Sequence, residues 1–296
     1  MKIIKLFGLF LLILTQTGFS QEGINEIEET YLDSIENSYT FQKGEIELRN
    51  GMGKIIIPEG FKYLDIPQSE QVLTELWGNP KSPDLTLGLI LREEQTIIND
   101  IGYVFNIQYD EIGYVEDDDA DDIDYAELLE SMQEETEAYN KERSELGYET
   151  VDVVGWAAEP FYDDQRKILH WAKEIKFGTN EENTLNYNIR VLGRKGVIVL
   201  NAVGGITDLA YVQNDLENVL GIVKFNEGYK YTDFNPDIDE IAAWSLGGLV
   251  AGKILAKVGV FAFLLKFWKI IAIGGAGVFG TFWKKFKSNN KKEEEV

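Results

Sequence analysis

From Ile241 to Trp283 the chain reads IAAWSLGGLVAGKILAKVGVFAFLLKFWKIIAIGGAGVFGTFW, forty-three residues whose only charges are Lys253, Lys257, Lys266 and Lys269. As one helix the segment would be about 65 Å long, roughly twice a hydrocarbon core. Three layouts fit: a span near 258–283 after an interfacial helix, a span near 241–265 before an amphipathic piece, or a hairpin turning at Lys266–Lys269. The hairpin leaves 14 residues for its second arm. It also puts Lys284, Lys285 and Lys287 on the same side as an exported body, against the cytoplasmic bias of lysine. The expected layout is therefore a single C-terminal transmembrane helix, with the tail KKFKSNNKKEEEV (284–296) in the cytoplasm. Each lysine held at depth costs about 2.5–3.5 kcal/mol. Small residues one turn apart, Gly248 with Gly252 and Ala276 with Gly280, permit close packing in self-association or against another membrane protein. The glycine content of an ordinary membrane helix accounts for them equally well.

The other end is also apolar. MKIIKLFGLFLLILTQTGFSQ carries Lys2 and Lys5, an apolar run from Leu6 to Leu14, and small residues at Gly18 and Ser20. Basic start, short apolar stretch and small-residue exit match a secretory signal peptide cleaved after Ser20. The run is too short to span a bilayer comfortably. Five segments follow: signal peptide 1–20, acidic lead-in 21–43, extracytoplasmic domain 44–240, membrane anchor 241–283 and charged tail 284–296. The expected location is a bacterial cell membrane, with one crossing and the body on the periplasmic or extracytoplasmic side.

Charge narrows the partners. Of the 51 acidic side chains, only Glu293, Glu294 and Glu295 lie beyond residue 240; between 21 and 240, 48 acids face 17 bases, a net charge of about −31. Such a body repels nucleic acid at long range, so no nucleic-acid partner is expected. The absence of cysteine excludes disulfides, thiolate catalysis and Cys-ligated metals.

The body alternates like an antiparallel sheet. GEIELRNGMGKIIIP reads as a hairpin, with strand 45–49, turn Asn50-Gly51 and strand 54–57 stopped by Pro58. Residues 69–77 form a short helix closed by Gly78-Asn79. LTLGLILR and GYVFNIQY read as paired strands, as do TVDVVGWA and KILHWAKEIKF. LNYNIRVLGRKGVIVLNAV is a hairpin turning at Arg194-Lys195-Gly196. The longest body helix is expected over 123–146, with Tyr125, Leu128, Leu129, Met132 and Tyr139 as its buried stripe. A second helix covers 208–220. The fold class is α+β, mainly antiparallel sheet with a few helices.

The run GYVEDDDADDIDYAELLESM raises the question of a cation site. Asp117, Asp119 and Asp121 fit the first three ligand positions of a calcium loop. The sixth position is Asp122 rather than Gly, and the twelfth is Leu128 rather than Glu. No cofactor is expected, leaving a divalent cation such as calcium on Asp117, Asp119 and Asp121 as a candidate against the simpler reading of a helix start. In that reading Asp121 or Asp122 caps the helix, and the other carboxylates favour the positive end of its dipole. Arg190 and Arg194 stand out in a body short of bases; the reading weighs structural pairing with the acidic surface against a ligand role. His170, the only histidine, reads as a packed strand residue. Trp156 and Trp171 read as core or sheet-face residues, with a carbohydrate or peptide platform as the functional version. GAGVFG at 275–280 lacks the strand and helix context of a dinucleotide loop. AWSLG at 243–247 only faintly matches a nucleophile elbow. No catalytic or cofactor-binding residue is assigned.

Several short stretches together resemble the bacterial uncharacterised membrane-anchored protein family, domain of unknown function 2167. They are Trp77-Gly78-Asn79; Gly113-Tyr114-Val115 with Asp117 to Ala120; Asn140, Arg143 and Gly147; Gly155-Trp156 with Pro160, Tyr162 and Asp163; Leu169 with Trp171-Ala172; Asn186-Tyr187 with Arg190 to Gly196; and Phe225, Gly228-Tyr229, Tyr231, Asp233-Phe234 and Asp239. The likeness covers roughly 44–259. It implies an exported domain tethered by its apolar C-terminal segment, and it brings no catalytic residue, cofactor or partner. The expected function is a non-catalytic interaction or assembly module of the bacterial envelope. The alternatives are a carboxylate-dependent envelope hydrolase and an accessory subunit of a transport complex.

Overall fold

The structure is a computed structural model, and it describes residues 30, 32–79, 86–98 and 102–252. The expected signal peptide, the lead-in up to residue 29, the anchor beyond Gly252 with Ala276 and Gly280, and the charged tail lie outside the described residues. Among the described residues no helix is long and apolar enough to cross a membrane.

The body is α+β with wholly antiparallel sheets. The hairpin expected at 45–57 forms β1 (Gly44–Glu47) and β2 (Gly53–Ile57), in register Glu47 opposite Lys54. Asn50 makes the turn with φ 59°, a left-handed conformation that asparagine tolerates. The far edge of β2 takes up β10 (Val223–Phe225), closing a three-stranded sheet.

A second sheet of seven strands carries the molecule. It contains β3 (Phe61–Leu64), β4 (Gly88–Arg92), β5 (Val104–Asp110), β6 (Val151–Asp163), β7 (Ile168–Phe177), β8 (Thr184–Leu192) and β9 (Val197–Gly205). Their spatial order is β3-β4-β5-β9-β8-β7-β6. The 167–177 strand and the hairpin turning at 193–196 form as expected. The strand expected at 150–157 runs on to Asp163; its pairing with β7 is broken by bulges, and Pro160 fits because β6 is an edge strand. β3 and β10 are not foreseen by the sequence reading, because four and three residues are too few to show a period.

Helix α1 (Ile66–Gln71) begins three residues earlier than expected, because Asp65 caps it by accepting from the Gln68 N–H and Pro67 suits its first turn. It continues as a π-turn to Leu76. Helix α2 (Tyr125–Glu145) forms within the expected span. Only Met132 of its expected stripe is fully buried; α2 rests against β6 and, at its start, the helix Leu246–Ala251, where Tyr125 and Leu128 are half-buried on the apolar core. Its other buried residue is Arg143, whose Nε donates to the Glu149 carbonyl at 2.7 Å. Helix α3 (Leu209–Leu220) follows a short 3-10 turn that takes in Asp208.

One face of the large sheet is apolar. Phe105, Ile107, Tyr187, Ile189 and Leu200 pack against α3 and the small sheet through Val212, Val219, Ile55 and Val223. The opposite face has two apolar covers. Leu64, Leu89 and Leu91 lie under Val72 at the β3–β4 end. Leu169, Trp171, Val197 and Val199 lie under Val115, Tyr231 and a last helix, α4 (Leu246–Ala251), which contributes Leu246, Leu249 and Val250. The start of the 241–283 segment is therefore packed on the body. Ala242 N–H donates to the Tyr114 carbonyl at 2.7 Å, and α4 begins only at Leu246, capped by Ser245.

Gly196 shows how tightly the β8–β9 turn is built. Its φ is 157°, and a Cβ there would lie 2.2 Å from the Asp110 carbonyl oxygen. Gly196→Ala is expected to lose at least about 2 kcal/mol in urea unfolding. A loss below about 0.5 kcal/mol would mean that β5 and the turn shift apart cheaply.

Candidate functional site

The aspartate run resolves into separate structural jobs. Asp124, not Asp121 or Asp122, caps α2, its Oδ1 accepting from Ala126 N–H and Glu127 N–H at 3.0 Å each. Asp117 is the centre of a network: Oδ2 accepts from Tyr162 Oη at 2.5 Å and Lys167 Nζ at 2.7 Å, and Oδ1 from Tyr231 Oη at 2.9 Å. Burial pushes the Asp117 carboxyl up, but the bonds from Lys167, Tyr162 and Tyr231 outweigh it and hold the group below its ordinary value. Asp119 Oδ1 instead faces the Leu246 N–H of α4 at 3.4 Å. Asp121 is exposed in a 3-10 turn. The structure thus does not gather Asp117, Asp119 and Asp121 into one coordination sphere. Among the described residues no group of three His, Cys, Asp or Glu side chains is placed to hold a metal.

The other sequence candidates separate as well. Arg194 pairs with the acidic surface as expected, Nε donating to Asp239 Oδ2 at 2.7 Å and Nη1 to the Gly228 carbonyl. His170 Nδ1 meets Tyr187 Oη at 3.1 Å and its ring lies 5.5 Å from that of Phe161. Burial and the nearby Arg166 lower its pKa. Gly248 is buried inside α4, and Gly252 ends that helix with φ 73°.

Arg190 is the exception, and it marks the site. The alternation of β8 sends Leu185, Tyr187, Ile189 and Val191 to the apolar face and Asn186, Asn188 and Arg190 to the other. In an ordinary antiparallel sheet such a polar set faces water. Here all nine residues of β8 are buried. Register aligns Asn106, Asn201, Asn188 and Trp171 across β5, β9, β8 and β7. One step along, Asn186 stands opposite Lys173, which pairs with Trp156 of β6. One step the other way, Gln108, Val199 and Arg190 align. This polar strip lies between the two apolar covers.

Its internal bonds are made by amides. Thr86 Oγ1 donates to Asn106 Oδ1 at 2.7 Å, and Asn188 Nδ2 to Asn186 Oδ1 at 2.7 Å. Arg190 Nη1 donates to Asn201 Oδ1 at 3.1 Å and to the Ile189 carbonyl, and Nη2 to Asn188 Oδ1 at 3.3 Å. Its guanidinium carbon sits 5.1 Å from the Trp171 ring centre. The acidic pairing expected of Arg190 does not occur: among the described residues no carboxylate reaches it, and Asp110 acts only as a longer-range charge. Lys173 likewise has no ion-pair partner among the described residues. Trp171 is 1% exposed and its Nε1 is buried without an acceptor.

Burial pulls Arg190 down to about 10. Lys173 is half-buried, and burial, aided by the nearby Arg190, pulls it down to about 8. The sequence signal for this strip was present in LNYNIR and the tryptophans, but nothing local announces that the polar face is covered.

A family model described as "Protein of unknown function (DUF2167)" matches residues 40–280. No curated protein matches the chain. Among solved structures, the solution structure of cyanobacterial PsbP (CyanoP) from Synechocystis sp. PCC 6803 is similar at 10% identity and a TM-score of 0.37, over 64% of this chain and 94% of that one. A likeness that shallow carries no argument.

Two predictions follow from the titrating groups. Lys173 has a depressed pKa, so the folded state resists its protonation; the stability this leaves at high pH is lost as pH falls from about 10.5 to about 8. Lys173→Met removes the penalty, and is expected to gain on the order of 2 kcal/mol over the parent at pH 7, shrinking towards pH 10. A gain that does not change with pH would refute the buried charge. Asp117 has the opposite sign of effect: its lowered pKa gives stability above pH 4 that disappears as pH falls through the depressed value. Asp117→Asn is expected to cost roughly 1–3 kcal/mol at pH 7, with the cost shrinking as pH falls through the depressed value, read from urea midpoints.

Proposed function

The chain belongs to the DUF2167 family of proteins of unknown function, and from that premise we propose that it is a membrane-tethered, extracytoplasmic binding module rather than a catalyst. The single observation behind this reading is the covered polar strip of the large sheet. It offers oriented amides, two cations and an indole N–H, which are groups that recognise, with no nucleophile beside a general base. The groups that suggested chemistry in the sequence have structural partners: His170 meets Tyr187, Asp117 holds Lys167 and two tyrosines, and Asp124 caps a helix.

The tether and the export rest on the sequence. An apolar 241–283 with lysines beyond it, and a signal-like 1–20, support one crossing with the body outside the cytoplasm. The last described helix, α4, shares a core with Trp171 through Leu246 and Leu249. A bound partner and a membrane segment would then act on neighbouring parts of the molecule.

The test is affinity capture from gently solubilised membranes, comparing the full chain with a version ending at residue 252. The expected result is stoichiometric recovery of one membrane protein that disappears from the truncated version. Recovery of the full chain alone as a monomer would overturn the assembly reading. Protease protection of the body in spheroplasts or protoplasts, with the cytoplasmic membrane intact, would overturn its export.

A further inference from the structure

We infer that the polar strip of the seven-stranded sheet is a binding site for the oxyanion group, carboxylate or phosphate, of a small polar ligand, held by Arg190, Lys173 and the Trp171 Nε1–H. The body has 48 acids for 17 bases. Among the described residues Lys43, Lys54, Lys62, Arg92, Arg166, Lys167 and Arg194 each reach a carboxylate. Arg190 and Lys173 are not in that set, and they are less exposed than other unpaired bases such as Lys141, Lys195 and Lys224: Arg190 is buried and Lys173 half-buried. An unpaired buried cation is costly unless something compensates it.

The donors left over define the missing group. Arg190 spends Nη1 on Asn201 and the Ile189 carbonyl and one Nη2–H on Asn188. Its Nε–H and second Nη2–H have no partner among the described residues, nor has the Lys173 ammonium. The Trp171 Nε1–H is buried and unpartnered. All three side chains carry donors only, so their complement is rich in acceptors and negatively charged. They also stand on neighbouring strands: Trp171 and Lys173 lie two residues apart on β7, and the Arg190 guanidinium lies over the Trp171 ring.

The arrangement is built rather than incidental. Asn188 and Asn201 fix the guanidinium from two strands, so its orientation is set before any ligand arrives. Asn106 and Gln108, buried on β5, extend the strip with groups that both donate and accept. Neutral amides suit hydroxyl or amide groups on the rest of the ligand. The proposal deepens the binding-module reading, and the two fail separately: the capture experiment reports on a protein partner, the titration below on the strip.

The test is titration of the full chain in mild detergent, in chloride buffer of constant ionic strength, with sodium phosphate and separately with sodium acetate. Tryptophan fluorescence and the thermal midpoint are both read. The expected result is a saturable fluorescence change and a rise in midpoint with one or both oxyanions. The probe that acts identifies phosphate or carboxylate as the group recognised. Lys173→Met and Arg190→Gln are each expected to weaken binding at least tenfold, and Trp171→Phe to remove most of the fluorescence change. Lys173→Met is the decisive variant, since loss of a buried charge should leave it folded even if Arg190→Gln is not. Saturation by neither oxyanion, or an unchanged titration in Lys173→Met, would overturn the proposal.

Discussion

Everything in this fold hangs on burying β8 from both sides. Its backbone is satisfied by β7 and β9 along its whole length. One set of its side chains enters the main apolar core, where fully buried residues such as Ile189 each contribute about 1.5–3 kcal/mol. The other set is polar and is given no water to face. A buried amide without a partner costs about 1–3 kcal/mol, so the strip has to be a network. Asn186, Asn188, Arg190 and Asn201 supply one another's acceptors and donors. The same network fixes register. A slip of one residue would drive Asn188 and Arg190 into the apolar core and leave Ile189 among amides.

What the sequence reveals follows from which forces are local. The β8–β9 hairpin was legible because alternation and a Gly-containing turn are properties of neighbouring residues. So were the β1–β2 turn at Asn50 and the helix over 209–220. The edge strands β3 and β10 were not, since their existence depends on the partners β4 and β2 far along the chain. The aspartate run misleads for a related reason. Six aspartates in nine positions suggest one shared task, yet loop geometry divides them: Asp117 meets Lys167 fifty residues on, Asp119 faces α4, and Asp124 turns to its own helix. The burial of the polar strip was the least visible feature. It depends on segments far along the chain from β8, and no window of β8 carries that information.

The charge pattern of the body turns an excess into a constraint. With so many carboxylates, some surface bases pair, as Lys54 does with Glu45 and Arg166 with Asp163, while others such as Lys141 and Lys224 stay in water. Exposed pairs of that kind are worth little. A base kept from pairing has to be shielded by its neighbours in the sheet, and those beside Arg190 and Lys173 are asparagines and tryptophans. An aspartate in place of one of these would give the cations an ion-pair partner, at the desolvation cost that any buried pair carries. Local rules broken at a cost and compensated elsewhere are the usual mark of a functional surface.

The position of α4 ties that surface to the end of the chain. Ser245 caps α4, Leu246 and Val250 enter the core beside Trp171, and Gly252 ends the helix in a left-handed turn that redirects the backbone. Asp119 reaches Leu246 from the loop whose other carboxylate, Asp117, grips the β6–β7 turn through Lys167. The loop, the turn and α4 therefore form one connected rim to the strip. Trp171 and α4 share one apolar core through Leu246, Leu249 and Val250, so a substitution that removes the Trp171 ring also removes packing from α4.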